Sequence, residues 1–189
     1  MFKDPVLKKL IKKYDAPKFE DRSKRLLESI IRSIIGQQLS GKAADTIYNR
    51  FLALFKTKLF PKTKEILEID VEKLRGAGMS YAKTQYVKNA AQFFHTKQID
   101  IQKIKRMSDE EVIIKLTKIK GVGKWTAEMI LIFSLKRNDV FSIGDAGLRR
   151  AIKNLYEIEN EKEILKLSEN WKPNRSLACW YLWRSLEND

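Results

Sequence analysis

A chain of 189 residues with 43% hydrophobic residues suits one domain or two small lobes with a real core, which excludes a disordered tail. Its 38 Lys+Arg against 24 Asp+Glu leave a net charge of +14, which points to a polyanion: nucleic acid first, an anionic membrane surface second, a merely basic surface as the plain alternative. Cys179 is the only cysteine, which rules out internal disulfides, zinc ribbons and cysteine-ligated clusters and fits a reducing cytoplasm. The longest apolar run, Met129 to Leu135, is too short to span a bilayer, and no signal peptide is expected.

In chain order nearly every patterned segment reads as helix. Val6, Leu7, Leu10, Ile11 and Tyr14 make one apolar stripe, with the lysines of "KLIKKY" on a solvated face; Leu26, Leu27, Ile30, Ile31, Ile34 and Ile35 make a second that ends near Gly36. Ser40 is an N-cap for a helix whose buried face is Ala43, Ala44, Ile47, Tyr48, Phe51 and Phe55. Ser80 starts another through Tyr86, Val87, Ala90 and Phe94, closing at His95, which reads as a polar surface residue. "SDEEVIIKLTKI" carries a capping box, Ser108 with Glu111, and predicts a helix over 110–118. Helical pattern resumes at Lys124, at Ala146 and near Glu161, and the last helix runs from Arg175 to Leu186, with Cys179, Trp180 and, before it, Trp171 read as core. No segment alternates and no repeat appears, so the fold class is all-α.

One interruption asks for a reason. In "LTKIKGVGKWTAEMILIF" (116–133) Gly121 and Gly123 break a good helix pattern, at a cost of about 1 kcal/mol each relative to alanine. Such glycines supply either positive φ or close approach of another molecule. A tight hairpin there leaves the amides of residues 121–125 at a helix N-terminus, an anion site ringed by Lys118, Lys120 and Lys124. The alternative is an ordinary turn.

"IKGVGKWTAEMI" resembles the helix-hairpin-helix of the DNA glycosylase superfamily, and "VFSIGDAGLRRAI" (140–152) resembles that superfamily's catalytic segment. "IIGQQLS" (34–40) and "WKPNRSLACWYLWRSL" (171–186) are similar to the 3-methyladenine DNA glycosylase II branch. The resemblance runs from about residue 20 to the end. It implies a single two-lobed glycosylase domain: a central lobe over 26–135 holding the hairpin, a second lobe from 1–25 and 136–189, and a DNA-binding cleft between them. It further implies that Asp145 is catalytic, and that Trp125, Met129, Tyr181 and Trp183 form the base pocket. Lys120, Gly121, Val122, Gly123 and Lys124 would grip the DNA backbone. Gln37, Gln38 and Leu39 would form a turn that enters the gap left by a flipped nucleotide, the plug being Gln38 or Leu39; the plain reading of that turn is a helix cap. Backbone carbonyls of Thr117, Ile119 and Val122 would hold Na+ or K+, with no other cofactor required. The implied partner is double-stranded DNA with damaged bases, met by a monomer without a membrane, in the cytoplasm or a nucleus.

Two departures narrow the chemistry. The endonuclease III branch carries a nucleophilic lysine two residues after the second glycine; here Trp125 stands there and Lys124 lies one place early. Its four cysteines are also missing, so the resemblance implies a monofunctional glycosylase for alkylated bases, releasing the base without strand cleavage. The alternatives are a glycosylase for other damaged or mismatched bases and a non-catalytic helix-hairpin-helix DNA-binding module. The amino-terminal β-rich lobe of larger bacterial relatives is likewise absent from this sequence.

Elementary chemistry agrees. Cleaving an N-glycosidic bond builds an oxocarbenium-like sugar that one carboxylate stabilises. A base methylated at a ring nitrogen is already cationic and departs without a second, acidic carboxyl. Asp145, at the start of "AGLRRAIKNLY", reads either as that carboxylate or as a plain N-cap, and one residue can do both. Asp139 is its nearest rival, read as a loop carboxylate. A flipped cationic base suits aromatic walls. Arg149 and Arg150 meet either phosphate or a carboxylate such as Glu157.

Overall fold

The computed structural model describes residues 2–56 and 59–187. Among these, twelve α-helices and no strand occur. They are α1 (Pro5–Lys13), α2 (Leu26–Gly36), α3 (Gly41–Ala53), α4 (Thr63–Glu68), α5 (Val71–Gly76), α6 (Tyr81–His95), α7 (Ile101–Arg106), α8 (Asp109–Leu116), α9 (Lys124–Phe133), α10 (Ala146–Tyr156), α11 (Glu161–Glu169) and α12 (Arg175–Arg184). The chain divides into two compact units, one over 22–130 and one from 1–21 with 131–189.

In the unit over 22–130, α2 is the core helix. Leu26, Leu27, Ile30, Ile31, Ile34 and Ile35 are all buried, each worth about 1.5–3 kcal/mol when withdrawn from water. Helix α6 packs on α2, α4 and α5, and α3 packs on α2. Two lysines of α6 close the ends of other helices. Lys83 Nζ donates to the Ile35 and Gln37 carbonyls at 2.7 and 2.6 Å, and Lys88 Nζ to those of Leu67 and Ile69 at 2.9 and 2.6 Å. Carbonyls at helix C-termini lack intrahelical donors, and a cation suits both the hydrogen bonds and the dipole.

The caps expected from sequence are in place. Ser40 Oγ accepts from Ala43 N, Ser80 Oγ from Lys83 N, and Ser108 and Glu111 satisfy each other's amides at 3.2 and 2.7 Å. No helical period in the sequence marks α4, α5 or α7. At six residues each they are too short to display a 3.6-residue period, and their only local signals are caps: Asp70 and Asp100 at the starts of α5 and α7 and Lys62 with Glu65 at α4.

In the other unit, Leu7, Leu10, Leu148, Ile152, Trp171, Cys179 and Leu182 share a core, with Trp171 fully buried. Burial pushes the Cys179 thiol up to about 12, consistent with a small packing residue. Asp4 is the polar centre of this unit: its carboxylate caps α1 through the Val6 and Leu7 amides and accepts from the Tyr156 hydroxyl and the Trp171 indole. Burial, then the Asp4 charge, raises the Tyr156 hydroxyl far above the ordinary phenol range.

Candidate active site and nucleic-acid interface

The two hairpin glycines have different causes. Gly121 has φ +100°, and a Cβ there would lie 2.2 Å from Cγ of Tyr86, so both conformation and space demand glycine. Gly123 has ordinary φ, and a Cβ there would meet nothing within 4 Å. Its missing side chain therefore serves no packing within the protein, and leaves room for a molecule from outside. The hairpin is tightened by Ile119 N to the Leu116 carbonyl at 3.0 Å and Val122 N to the Ile119 carbonyl at 2.9 Å. The Val122 amide is thus used internally, which removes it from the run of amides expected to face an anion. Lys118, Lys120 and Lys124 are exposed around the turn.

The turn at 37–39 lies in the same unit. Gln38 takes a left-handed backbone (φ +58°), Leu39 is 39% exposed, and Leu39 N reaches the Gly36 carbonyl at 3.1 Å. Gln37 points back into the protein: its Nε2 donates to the Gly121 carbonyl at 3.0 Å and to Thr126 Oγ1 at 3.5 Å. Its Nε2 is therefore engaged by the hairpin, and Gln38 and Leu39 form the exposed tip. The turn, Gly123, Trp125 and Tyr86 line one groove of about 680 Å³. Trp125, 40% exposed, opens α9 on its rim; Met129, one turn on, is half-buried.

Asp145 belongs to the other unit and is only 9% exposed. It is the N-cap of α10: Oδ1 accepts from the Leu148 amide at 2.6 Å and from the Trp183 indole N–H at 2.8 Å. Two fixed donors hold the carboxylate in one orientation, as electrostatic preorganisation requires. The segment leading to it is pinned to α12. Ser176 Oγ donates to the Arg137 carbonyl at 2.6 Å and accepts from Val140 N at 3.0 Å, while Arg175 holds the Asp139 carboxylate at 2.9 and 3.0 Å. Asp139 is thereby committed to a structural ion pair.

Trp183 meets Asp145 by its edge, and its ring packs on Phe133, centroids 5.9 Å apart, which in turn meets Phe19 at 5.9 Å. Phe133 gives no periodic sign of a site role in the sequence. It also lines a cavity of about 460 Å³ with Phe19, Trp180, Asp15 and Arg184. Tyr181, expected on the pocket wall, is 3% exposed and sits in the core, where burial raises its hydroxyl; Trp180, expected in the core, lines the cavity. Arg149 pairs with Glu161 at 3.7 Å rather than with Glu157, both side chains about half-exposed, so the pair is weak and the arginine stays available to phosphate. Thr117, Ile119 and Val122, whose carbonyls are the expected cation ligands, lie in one turn; the Ile119 carbonyl already accepts one hydrogen bond and keeps a second lone pair.

Comparison with known proteins identifies the family. Residues 31–173 match the HhH-GPD superfamily of base excision DNA repair proteins. The chain is 38% identical over 183 residues to DNA-3-methyladenine glycosylase 1 of Schizosaccharomyces pombe, covering 95% of this chain and 80% of that protein. The solved structure of the Schizosaccharomyces pombe 3-methyladenine DNA glycosylase with abasic DNA superposes with a TM-score of 0.87 at 36% identity, covering 97% and 92% of the two chains. A DNA-3-methyladenine glycosidase structure from Bacillus halodurans follows at 0.81 and 36%, covering 96% and 84%. A helical chain with a glycine hairpin and a preorganised capping aspartate, matched over most of its length, belongs to the helix-hairpin-helix DNA glycosylase superfamily, in its alkylbase branch.

Proposed function

We propose that this protein is a monofunctional DNA glycosylase that flips out alkylated bases such as 3-methyladenine and hydrolyses the N-glycosidic bond, leaving an abasic site for base excision repair. The observation that carries this reading is Asp145, a nearly buried carboxylate held by the Leu148 amide and the Trp183 indole. Asp145 stabilises the oxocarbenium-like sugar, or orients the attacking water, while the positive charge of the alkylated base makes it a good leaving group. The nearby carboxylate of Asp139 is tied to Arg175, so no second acid is supplied from that segment, and a cationic base needs none. Trp183, hydrogen-bonded to Asp145, supplies aromatic surface for the flipped base. The hairpin, with Lys120 and Lys124, takes a phosphate, and Na+ or K+ on the carbonyls of Thr117, Ile119 and Val122 would add charge there. The protein acts as a monomer on chromosomal DNA, in the cytoplasm or a nucleus; among the described residues no helix is long and apolar enough to cross a membrane.

The test is release of free bases from methylated duplex, separated by chromatography, with the strand followed in parallel. The strand should stay intact until heat or alkali, because a tryptophan occupies position 125 and Lys124 lies one place early for the nucleophilic amine. Borohydride should trap no enzyme–DNA adduct, since trapping needs an amine nucleophile and a Schiff base. A trapped adduct with cleavage of the untreated strand would overturn the monofunctional mechanism.

Gly123→Asp is expected to weaken binding to damaged and undamaged duplex alike, by about tenfold or more, because a side chain and a negative charge enter the space left for phosphate. Titration by fluorescence anisotropy at fixed salt reads this directly. Unchanged affinity would reduce the hairpin to a turn between helices.

A further inference from the structure

We propose that Lys83 is a positioning residue that couples the 37–39 turn to the hairpin, so that gripping the backbone and entering the base stack occur as one rigid step. This rests on the reading of the protein as a base-flipping glycosylase.

Three contacts close a triangle. From α6, Lys83 Nζ donates to the Ile35 and Gln37 carbonyls at 2.7 and 2.6 Å, fixing the last turn of α2 where the chain leaves it. From that turn, Gln37 Nε2 donates to the Gly121 carbonyl at 3.0 Å. One turn along α6 from Lys83, the Tyr86 ring lies directly against Gly121, close enough that no side chain fits there. Helix α6 thus supports both DNA-facing loops at once, and Gln37 ties them to each other. Lys83 and Tyr86 both line the groove that holds Gln38, Leu39 and Trp125. Partial burial keeps the Lys83 amine below the usual lysine range.

The mechanical consequence follows from the backbone. Gln38 is held left-handed, a conformation that costs a non-glycine residue and persists only where its surroundings impose it. The surroundings are the two carbonyls that Lys83 holds on either side of Gly36 and the amide that Gln37 lends to the hairpin. Without the ammonium, the tip would sample other conformations, and the work of displacing a paired base would fall on a loose loop.

The same helix offers a matched control. Lys88 caps α4 in the same manner, through the Leu67 and Ile69 carbonyls, but neither it nor those carbonyls line the groove. A lysine that merely staples helices should behave like Lys88.

The experiment compares single-turnover release of N7-methylguanine from a duplex in which the lesion is paired with cytosine and from one in which it is bulged and already unstacked. Lys83→Met should slow release from the paired duplex by about tenfold or more and from the bulged one by less than about threefold, since only the former needs the base displaced. Lys83→Arg should recover most of the loss, and Lys88→Met should lower the melting temperature while leaving the ratio between the two duplexes as in the wild type. A second readout needs no catalysis: 2-aminopurine opposite a tetrahydrofuran abasic analogue should brighten on wild-type binding and brighten less with Lys83→Met at equal saturation. If Lys83→Met does not fold, Gln37→Leu should give the same change in ratio. Equal slowing of both duplexes, or a ratio change in Lys88→Met as large as in Lys83→Met, would overturn the coupling role. Failure of the wild type to release base from either duplex would strike the proposed activity instead, and the fluorescence change would still decide the coupling.

Discussion

Asp145→Asn is expected to lower base release from methylated DNA by about 10²- to 10³-fold, the loss typical when one preorganised electrostatic contact is removed from a developing charge. The substitution is nearly isosteric. An asparagine oxygen still accepts from the Leu148 amide and from the Trp183 indole, so the α10 cap and the aromatic contact survive. Melting temperature should therefore change little, and any loss of rate belongs to the charge. DNA binding should persist, because a negative charge is withdrawn from a protein that meets a polyanion. The rate is read as free base per enzyme under single-turnover conditions, so that slow product release does not mask it. Activity within threefold of wild type would show that Asp145 is only a helix cap.

The second large effect concerns folding. Asp4→Ala should destabilise the protein by roughly 3–7 kcal/mol, combining a lost N-cap of about 1 kcal/mol with two donors left without their acceptor at about 1–3 kcal/mol each. The donors are the Tyr156 hydroxyl, 3.0 Å from both carboxylate oxygens, and the indole N–H of the fully buried Trp171, 3.0 Å from Oδ2. Asp4→Asn keeps an acceptor for the α1 amides and should cost less than the alanine variant. Urea unfolding followed by tryptophan fluorescence measures both. A loss under about 1 kcal/mol for Asp4→Ala would mean that water replaces the carboxylate at little cost. The effect bears on function because Asp145 and Trp183 stand on the same unit, on helices α10 and α12 that pack against each other.

How much of this was legible beforehand depended on whether the information was local. The long helices were, because six buried aliphatics at helical spacing in α2 and a serine with a glutamate three residues on in α8 are signals contained within single segments. The short helices α4, α5 and α7 were not, since six residues do not complete two turns and tertiary packing, not periodicity, holds them. Trp180 and Tyr181 illustrate a different limit. "RSLACWYLWR" is apolar on nearly every face, so periodicity names no inward side, and which ring is buried depends on what packs against α12.

By itself the sequence determined that the chain is helical, strongly basic and interrupted at 121–123 by glycines, and that an aspartate starts the helix at 146. It also determined that no lysine stands at 125, since the identity of a residue requires no fold. What only the tertiary structure decided is which partners those residues meet. Gly121 answers to Tyr86, 35 positions earlier in the chain; Gly123 answers to nothing in the protein; Gln37 turns away from solvent to the Gly121 carbonyl; Arg175 occupies Asp139 and leaves Asp145 as the oriented carboxylate. Asp4 acquires its weight from Tyr156 and Trp171, more than 150 residues away. Helical periodicity and capping are written within a few residues because their hydrogen bonds span three or four positions, whereas the carboxylates, amides and rings that build the site find their partners only when distant segments are brought to within 3 Å of one another.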